Sequence, residues 1–365
     1  MSSPVRPGRA LLLGVGLIGG SVGLALRARG WEVFGRDASS AVLDAAIELG
    51  VIDAVAPPGP IDAIDITFVA TPVGAIVEGV RLALADTTGV VTDVGSVKTP
   101  LLEILDDPRV VGGHPMAGSE LDGVAGARAD LFEGRTWVLT PIDGTDDDAL
   151  ALVRSIVSDF GAEVVSIAPE RHDSMVAVVS HVPHLTAASL MGLADERSAE
   201  HRGLLRLAAG GFRDMTRIAS GPPGIWPDIC AGNRDAIVGE LDRLRAVLGE
   251  VRDIVAEGDR DALVAVLERA RSARTALPAR FAVASELAEL RIPVPDRKGA
   301  LAGITMLATE LDVSIADIEI AHSVEGDEGV VILLVEATHG ERLLAGLLAN
   351  DYRAVLRPLD ATRER

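Results

Sequence analysis

Apolar and polar positions follow three successive rhythms along this chain of 365 residues. Up to about residue 167, short apolar runs end in glycine or proline turns. "RALLLGVG", "WEVFGRD", "IDITFVATP", "TGVVTDVGS", "RVVGGH", "RTWVLTP" and "AEVVSI" read as strands, with helical stretches such as "SVGLALRARG" between most of them. Continuously apolar strands separated by helices predict a doubly wound parallel sheet covered on both faces. From Pro169 the apolar spacing becomes helical, and no strand signal returns until Leu287. Some of these helices read apolar on more than one side, which suits packing against a second subunit. The last rhythm is strand, helix, strand, strand, helix, strand, the ferredoxin-like order, with "EGDEG" turning between the middle strands. The expected organisation is therefore α/β: a Rossmann-type region over residues 1–167, an all-helical region over 168–284, and a βαββαβ region over 285–365. No internal repeat or low-complexity segment interrupts it.

Composition narrows the partners. A net charge of −20 argues against nucleic acid and anionic membranes, both of which need clustered Lys and Arg. The single cysteine, Cys230, excludes an intrachain disulfide, suits a reducing cytoplasm and reads as buried and inert. Arg6 and Arg9 before the uncharged run 10–26 imitate a signal peptide. That reading is rejected, because the run is glycine-patterned, continues into a basic helix end, and is short for a span of about 20 residues.

The glycine pattern has a chemical meaning. Gly14, Gly16 and Gly19 form GxGxxG between a strand and a helix, so a dinucleotide pyrophosphate can approach the backbone N–H groups at Leu17 and Ile18. Asp37 ends the next strand, where a ribose-binding acid is expected. Arg36 beside it offers a partner for a 2′-phosphate, so NAD is favoured over NADP but both stay open. The bland alternative is a surface loop with a helix-capping acid.

His114, on a turn at a strand end, is by itself equally a hydrogen-bonded loop residue, and Ser96 equally a helix cap. Both share a position near the cofactor turn. His181 and His184 lie one helical turn apart, with Pro183 between them expected to kink the helix. They read as satisfied core histidines or as a metal pair. No cysteine or carboxylate cluster accompanies them, so no metal centre is expected. His172 lies upstream on the same helix. Arg213 and Arg217 share a helix face and fit either carboxylate binding or solvent. Trp226 lines a pocket or fills a core.

Taken in order, GVGLIGGS, DVGSVK, GGHPMAGSE, HD…VVSHVPH and GGFRDMTRIA resemble the prephenate/arogenate dehydrogenases of tyrosine biosynthesis, from about Arg9 to about Ala279. The C-terminal region separately resembles an ACT domain, with Lys298 of "PDRKGALAGI" standing where proline is common. The resemblance implies oxidative decarboxylation of prephenate or arogenate with hydride transfer to NAD(P). It implies that His114 accepts the hydroxyl proton, Ser96 orients it or the substrate, and Arg217 pairs with the ring carboxylate. It places His184 near the substrate with His181 in support, Ser119 and Glu120 at the pocket mouth, and Thr71 and Pro72 against the cofactor. It also implies a homodimer through the helical region and an aromatic amino-acid effector. Two competing readings are another Rossmann hydroxyacid or imino-acid dehydrogenase and a catalytically silent amino-acid-binding regulator.

Overall fold

A computed structural model describes residues 7–101, 106–119, 121–201, 203–276, 287–295, 299–322 and 328–358. Two compact units divide the chain, Met1–Asp253 and Ile254–Arg365.

The first unit begins with β1 (Arg9–Leu13), α1 (Leu17–Arg27), β2 (Glu32–Arg36), α2 (Ser40–Glu48), β3 (Ala54–Val55), β4 (Ile66–Val69), α3 (Ile76–Asp86), β5 (Val90–Asp93) and β6 (Val110–Pro115). It continues with β7 (Thr136–Thr140), α4 (Asp147–Asp159) and β8 (Glu163–Ser166). These strands form one sheet in the order β3-β2-β1-β4-β5-β6-β7-β8. Through β6 this is the 3-2-1-4-5-6 order of a doubly wound nucleotide-binding sheet, all parallel. The expectation of a parallel sheet needs one amendment. β7 runs antiparallel to β6, and β8 follows β7 in parallel. Between β6 and β7 the described chain carries only a 3-10 turn at Val124–Gly126, not the helical crossover that a parallel return ordinarily uses.

The alternation of β1 shows why its run is continuously apolar. Ala10 and Leu12 face a core with Val22, Ala25 and Leu26 of α1, while Leu11 and Leu13 face a second core with Val80 and Ala83 of α3. A central strand buried on both faces has no polar side to show.

The rest of this unit is helical among the described residues: α5 (Pro169–Val176), α6 (Val182–Glu200), α7 (Gly210–Thr216), α8 (Trp226–Gly232) and α9 (Arg234–Glu257), within which the boundary falls. Between α5 and α6 lies a π turn, Ala177–His181, in which Val182 N–H bonds to Ala177 O, five residues back. The kink expected at Pro183 takes this form: proline supplies no N–H, and the ladder widens just before it. The helix Pro169–Ser198 is long and apolar enough to cross a membrane by length and composition alone. It also carries His172, Asp173 and His181, all buried within the unit. Cys230 is free and half-buried against a small cluster around Val97, Ile229 and Ile237.

The second unit contains α10 (Arg260–Thr275), β9 (Leu287–Pro295), α11 (Ala300–Glu310), β10 (Ile315–His322), β11 (Glu328–Glu336), α12 (Ala337–Ala349) and β12 (Val355–Pro358). Its antiparallel sheet, ordered β10-β11-β9-β12, buries one face under α11 and α12, with Leu290, Ile292, Leu333, Ile304 and Leu343 in the core. This is the ferredoxin-like arrangement. Gly299 starts α11 in a left-handed conformation, φ 91°, while Lys298 lies outside the described residues.

Candidate active site

The glycine turn is built for a close neighbour. Gly14 has φ 91°, and a Cβ there would sit 2.5 Å from Ala70 O. A Cβ on Gly19 would collide with Gly14 O, whereas one on Gly16 would meet nothing within 4 Å and would project into the space a pyrophosphate takes. No side chain caps α1, so the dipole-positive end at Leu17 and Ile18 faces that space. Asp37 supports the turn, its Oδ2 accepting from Val15 N at 2.9 Å and its Oδ1 from Ser39 N at 3.0 Å. Arg36 points elsewhere. Its guanidinium bonds Asp86 Oδ2 at 2.5 Å and Gly59 O at 2.5 Å. Thr71, half-buried, and Pro72, exposed, follow β4, with the Ala70–Thr71 backbone packed on Gly14. These residues fit a dinucleotide.

His114 stands on β6, and the two glycines before it are steric requirements. A Cβ on Gly113 would lie 2.6 Å from Asp93 O, and one on Gly112 would collide with Thr140 Oγ1. The strand is pinned from below by a fully buried ion pair between Lys98 and Asp93. Lys98 Nζ also donates to Gly113 O at 2.7 Å, and Asp93 Oδ1 accepts from Gly113 N at 3.0 Å. Burial pulls Lys98 down from its ordinary value against the opposing pull of Asp93.

From there a chain of polar groups runs into the helices. His114 Nδ1 lies 2.8 Å from His172 Nε2, and His172 Nδ1 lies 2.8 Å from Asp173 Oδ1. Asp173 accepts further from Lys98 N (2.8 Å), Thr99 N (2.6 Å) and the Thr99 hydroxyl. Burial alone would raise this carboxyl, but the bonds from His172, Thr99 and the Lys98 backbone outweigh it and hold it below its usual range. Asn233 Nδ2 donates to Asp173 O at 2.8 Å and meets His181 Nδ1 at 3.2 Å. Burial, then repulsion from His172, Lys98 and His181, pushes His114 well below the ordinary 6.5, so it is neutral at pH 7. Burial likewise takes His181 to about 4 and lowers His184.

The π turn explains how one helix supplies both His172 and His181. At about 100° per residue, nine residues of plain α-helix would set them on opposite sides. One extra residue in the ladder removes roughly 100° of that and turns His181 toward the cluster around Asn233.

Ser96, His114, Met116, His181, Trp226 and Ile229 line a cavity of about 340 Å³ beyond the carboxyl ends of β5 and β6. Open α/β sheets bind ligands at that edge, and the volume is that of a small-molecule site. His184 stacks on Trp226, ring centroids 3.7 Å apart, at its flank. Trp226 thus lines the pocket. Arg217 is exposed at the start of the 3-10 turn Arg217–Ser220 that follows α7 and is not among the lining residues, and Arg213 is also exposed. Ser119 is exposed too, its hydroxyl accepting from Leu121 N at 3.1 Å within its own loop, and Glu120 lies outside the described residues. The sequence reading gave no role to His172, Asp173, Asn233 or the Asp93–Lys98 pair. The available signal was the adjacent "HD" on the first turn of the helix that carries His181.

Fold and site together define a dinucleotide-dependent dehydrogenase with a helical second layer over the sheet edge. Comparison with known proteins sharpens the class. Residues 22–166 match the nucleotide-binding domain of prephenate dehydrogenase, and residues 168–269 match its dimerization domain. A prephenate dehydrogenase of Bacillus subtilis (strain 168) is 35% identical over 88% of this chain and 90% of its own. The crystal structure of A. aeolicus prephenate dehydrogenase in complex with hydroxyphenyl propionate and NAD+ superposes with a TM-score of 0.70 at 30% identity, covering 76% of this chain and all of that one. Synechocystis arogenate dehydrogenase gives 0.62 at 28% identity, covering 73% of this chain and 98% of its own. The chain belongs to the prephenate dehydrogenase family.

Proposed function

We propose that this protein oxidatively decarboxylates prephenate or arogenate, with NAD as hydride acceptor, in tyrosine biosynthesis. The observation that carries the reading is a half-buried, neutral His114 beside Ser96 in a cavity at the cofactor edge of the sheet, in a chain of this family. NAD, when bound, takes the hydride from the hydroxyl-bearing ring carbon. His114 removes the hydroxyl proton, and it is suited to do so because burial keeps its imidazole uncharged. Ser96 orients the hydroxyl or His114. Loss of CO2 then makes the ring aromatic, so the protein supplies alignment and a base rather than driving force.

Trp226 and His184 form the aromatic wall for the ring, with His181 behind them. Arg217 is the partner of the ring carboxylate. Its turn packs on α6, and Gly221 at the end of that turn lies beside His184. Ser119 and Glu120 belong to the mouth. NAD is preferred to NADP because the Arg36 guanidinium is already engaged by Asp86 and Gly59, and the related A. aeolicus enzyme was crystallised with NAD+.

The reading extends to three regions, with cofactor binding over 1–167, substrate binding and dimerisation over 168–284, and control over 285–365. What supports the first boundary is that the two family matches end and begin at residues 166 and 168. The ferredoxin-like sheet order supports an ACT-type module for an aromatic amino acid, in a cytoplasmic enzyme. NADH formation, measured with prephenate and with arogenate, each with NAD and with NADP, tests the activity. Turnover of at least one substrate is expected, and silence with both would overturn the reading. Inhibition by tyrosine that is non-competitive with substrate is expected of the module, whereas purely competitive inhibition would place control in the cavity.

A further inference from the structure

The carboxylate of Asp173 accepts four hydrogen bonds, from Lys98 N, Thr99 N, the Thr99 hydroxyl and His172 Nδ1. A group surrounded by donors is an acceptor only, so the proton of a neutral His172 sits on Nδ1. His172 Nε2 is then a lone pair, and it faces His114 Nδ1 at 2.8 Å. Two lone pairs do not meet at that distance, so His114 carries its proton on Nδ1. Its Nε2 is left as the lone pair.

We propose that His172, held by Asp173, is a positioning residue that fixes His114 in the Nδ1–H form and takes over the proton His114 gains. When a proton arrives at His114 Nε2, the Nδ1 proton passes to His172 Nε2. The O–H bond of the donor breaks and an N–H bond forms at His114. A second N–H bond breaks at His114 and another forms at His172. The positive charge ends beside the Asp173 carboxylate, which stays ionised, as the carboxylate of a Ser-His-Asp arrangement does. Without this transfer the charge would stay on His114, where Lys98 repels it, rather than on the ring that Asp173 hydrogen-bonds. The transfer rests on the proposed reaction, in which the substrate hydroxyl is the proton donor. The resting proton positions do not depend on it.

The groups facing the pair are Lys98, His181, Asp173 and, through Lys98, Asp93. Asn at position 172 keeps a donor toward Asp173 but leaves His114 Nδ1 without a partner. Gln keeps an oxygen where Nε2 stood, accepting from His114 without being able to take the proton. Imidazole ¹⁵N spectra of the full chain at about pH 8, well above the ordinary histidine pKa, read the proton positions directly, with His114 assigned by its loss in His114→Asn. The expected result is Nδ1–H at His114 in the native chain and Nε2–H in His172→Asn. Native His114 with its proton on Nε2 would overturn the proposal.

In turnover, His172→Asn is expected to lower kcat by about 10²-fold with KM changed less than about threefold. His172→Gln is expected to recover about tenfold of that, with the acid limb of the pH profile moved to lower pH because only His114 remains to titrate. Equal losses in both variants with an unmoved acid limb would reduce His172 to packing and overturn the relay. A poorly folding His172→Asn leaves the native spectrum decisive. A native enzyme inactive on both substrates would sink the functional reading alone, since the spectrum still decides the proton positions.

Discussion

The sheet-side wall of the cavity and the helical surface that carries Arg217 are built in opposite ways. On the sheet side Lys98, Asp93, His172 and Asp173 are buried, and each of the four is hydrogen-bonded. On the helical surface Arg213 and Arg217 are exposed. The proposed base, His114, is therefore set in place before any ligand arrives, which is what proton abstraction requires. Arg217, the proposed anion partner, is left exposed to solvent. A carboxylate would recruit Arg217 on binding, so recognition is expected to show in KM and proton removal in kcat.

Four experiments would break or sharpen that contrast. His114→Asn should cost about 10²–10⁴ in kcat while leaving NAD affinity, read by fluorescence titration, within about threefold of native. Lys98→Met leaves Asp93 charged and buried without its cation, and should destabilise the unit by about 3–5 kcal/mol in urea unfolding. A loss below about 1 kcal/mol would mean the sheet-side wall is not rigidly braced. Arg217→Ala should raise KM by about 10–100-fold, the worth of a charge-assisted pair of about 1.5–3 kcal/mol, with kcat little changed. A fall in kcat instead would make Arg217 as preorganised as the sheet-side wall.

The last effect is on stability against pH. His181 titrates near 4 in the folded chain against 6.5 ordinarily, so the unfolded chain binds its proton first. Stability should fall as pH drops from 6.5 toward 4, and this group should contribute no slope above that window. Substituting Gln for His181 should flatten that part of the curve. Activity should fall in the same direction on acidification, as the His114–His172 pair takes up a proton.

The same contrast sorts what could be read from sequence. The glycine turn, Asp37 and the strand ends bearing Ser96 and His114 were legible because each is a local device whose purpose shows within a few neighbours. The βαββαβ order was legible from hydrophobic rhythm alone. The reversal at β7 was not, since "RTWVLTP" is as apolar as its parallel neighbours and pattern does not encode strand direction. Arg36 looked available to a phosphate, yet Asp86, 50 residues away, claims it. His172 stayed without a role for a related reason: its partner His114 is 58 residues distant. A histidine gains a proton position only when both its neighbours are known.

The widened turn at Ala177–His181 has a consequence for the length of the chain. Loops elsewhere absorb an added or missing residue at the surface. Here, deletion of Ala177, Val178 or Val179 would restore an ordinary ladder and rotate everything beyond it by roughly 100°. His181 and His184 would swing away together, parting His181 from Asn233 and His184 from Trp226, even though every side chain that does chemistry was still present. At this one stretch, the number of residues matters as much as which residues they are.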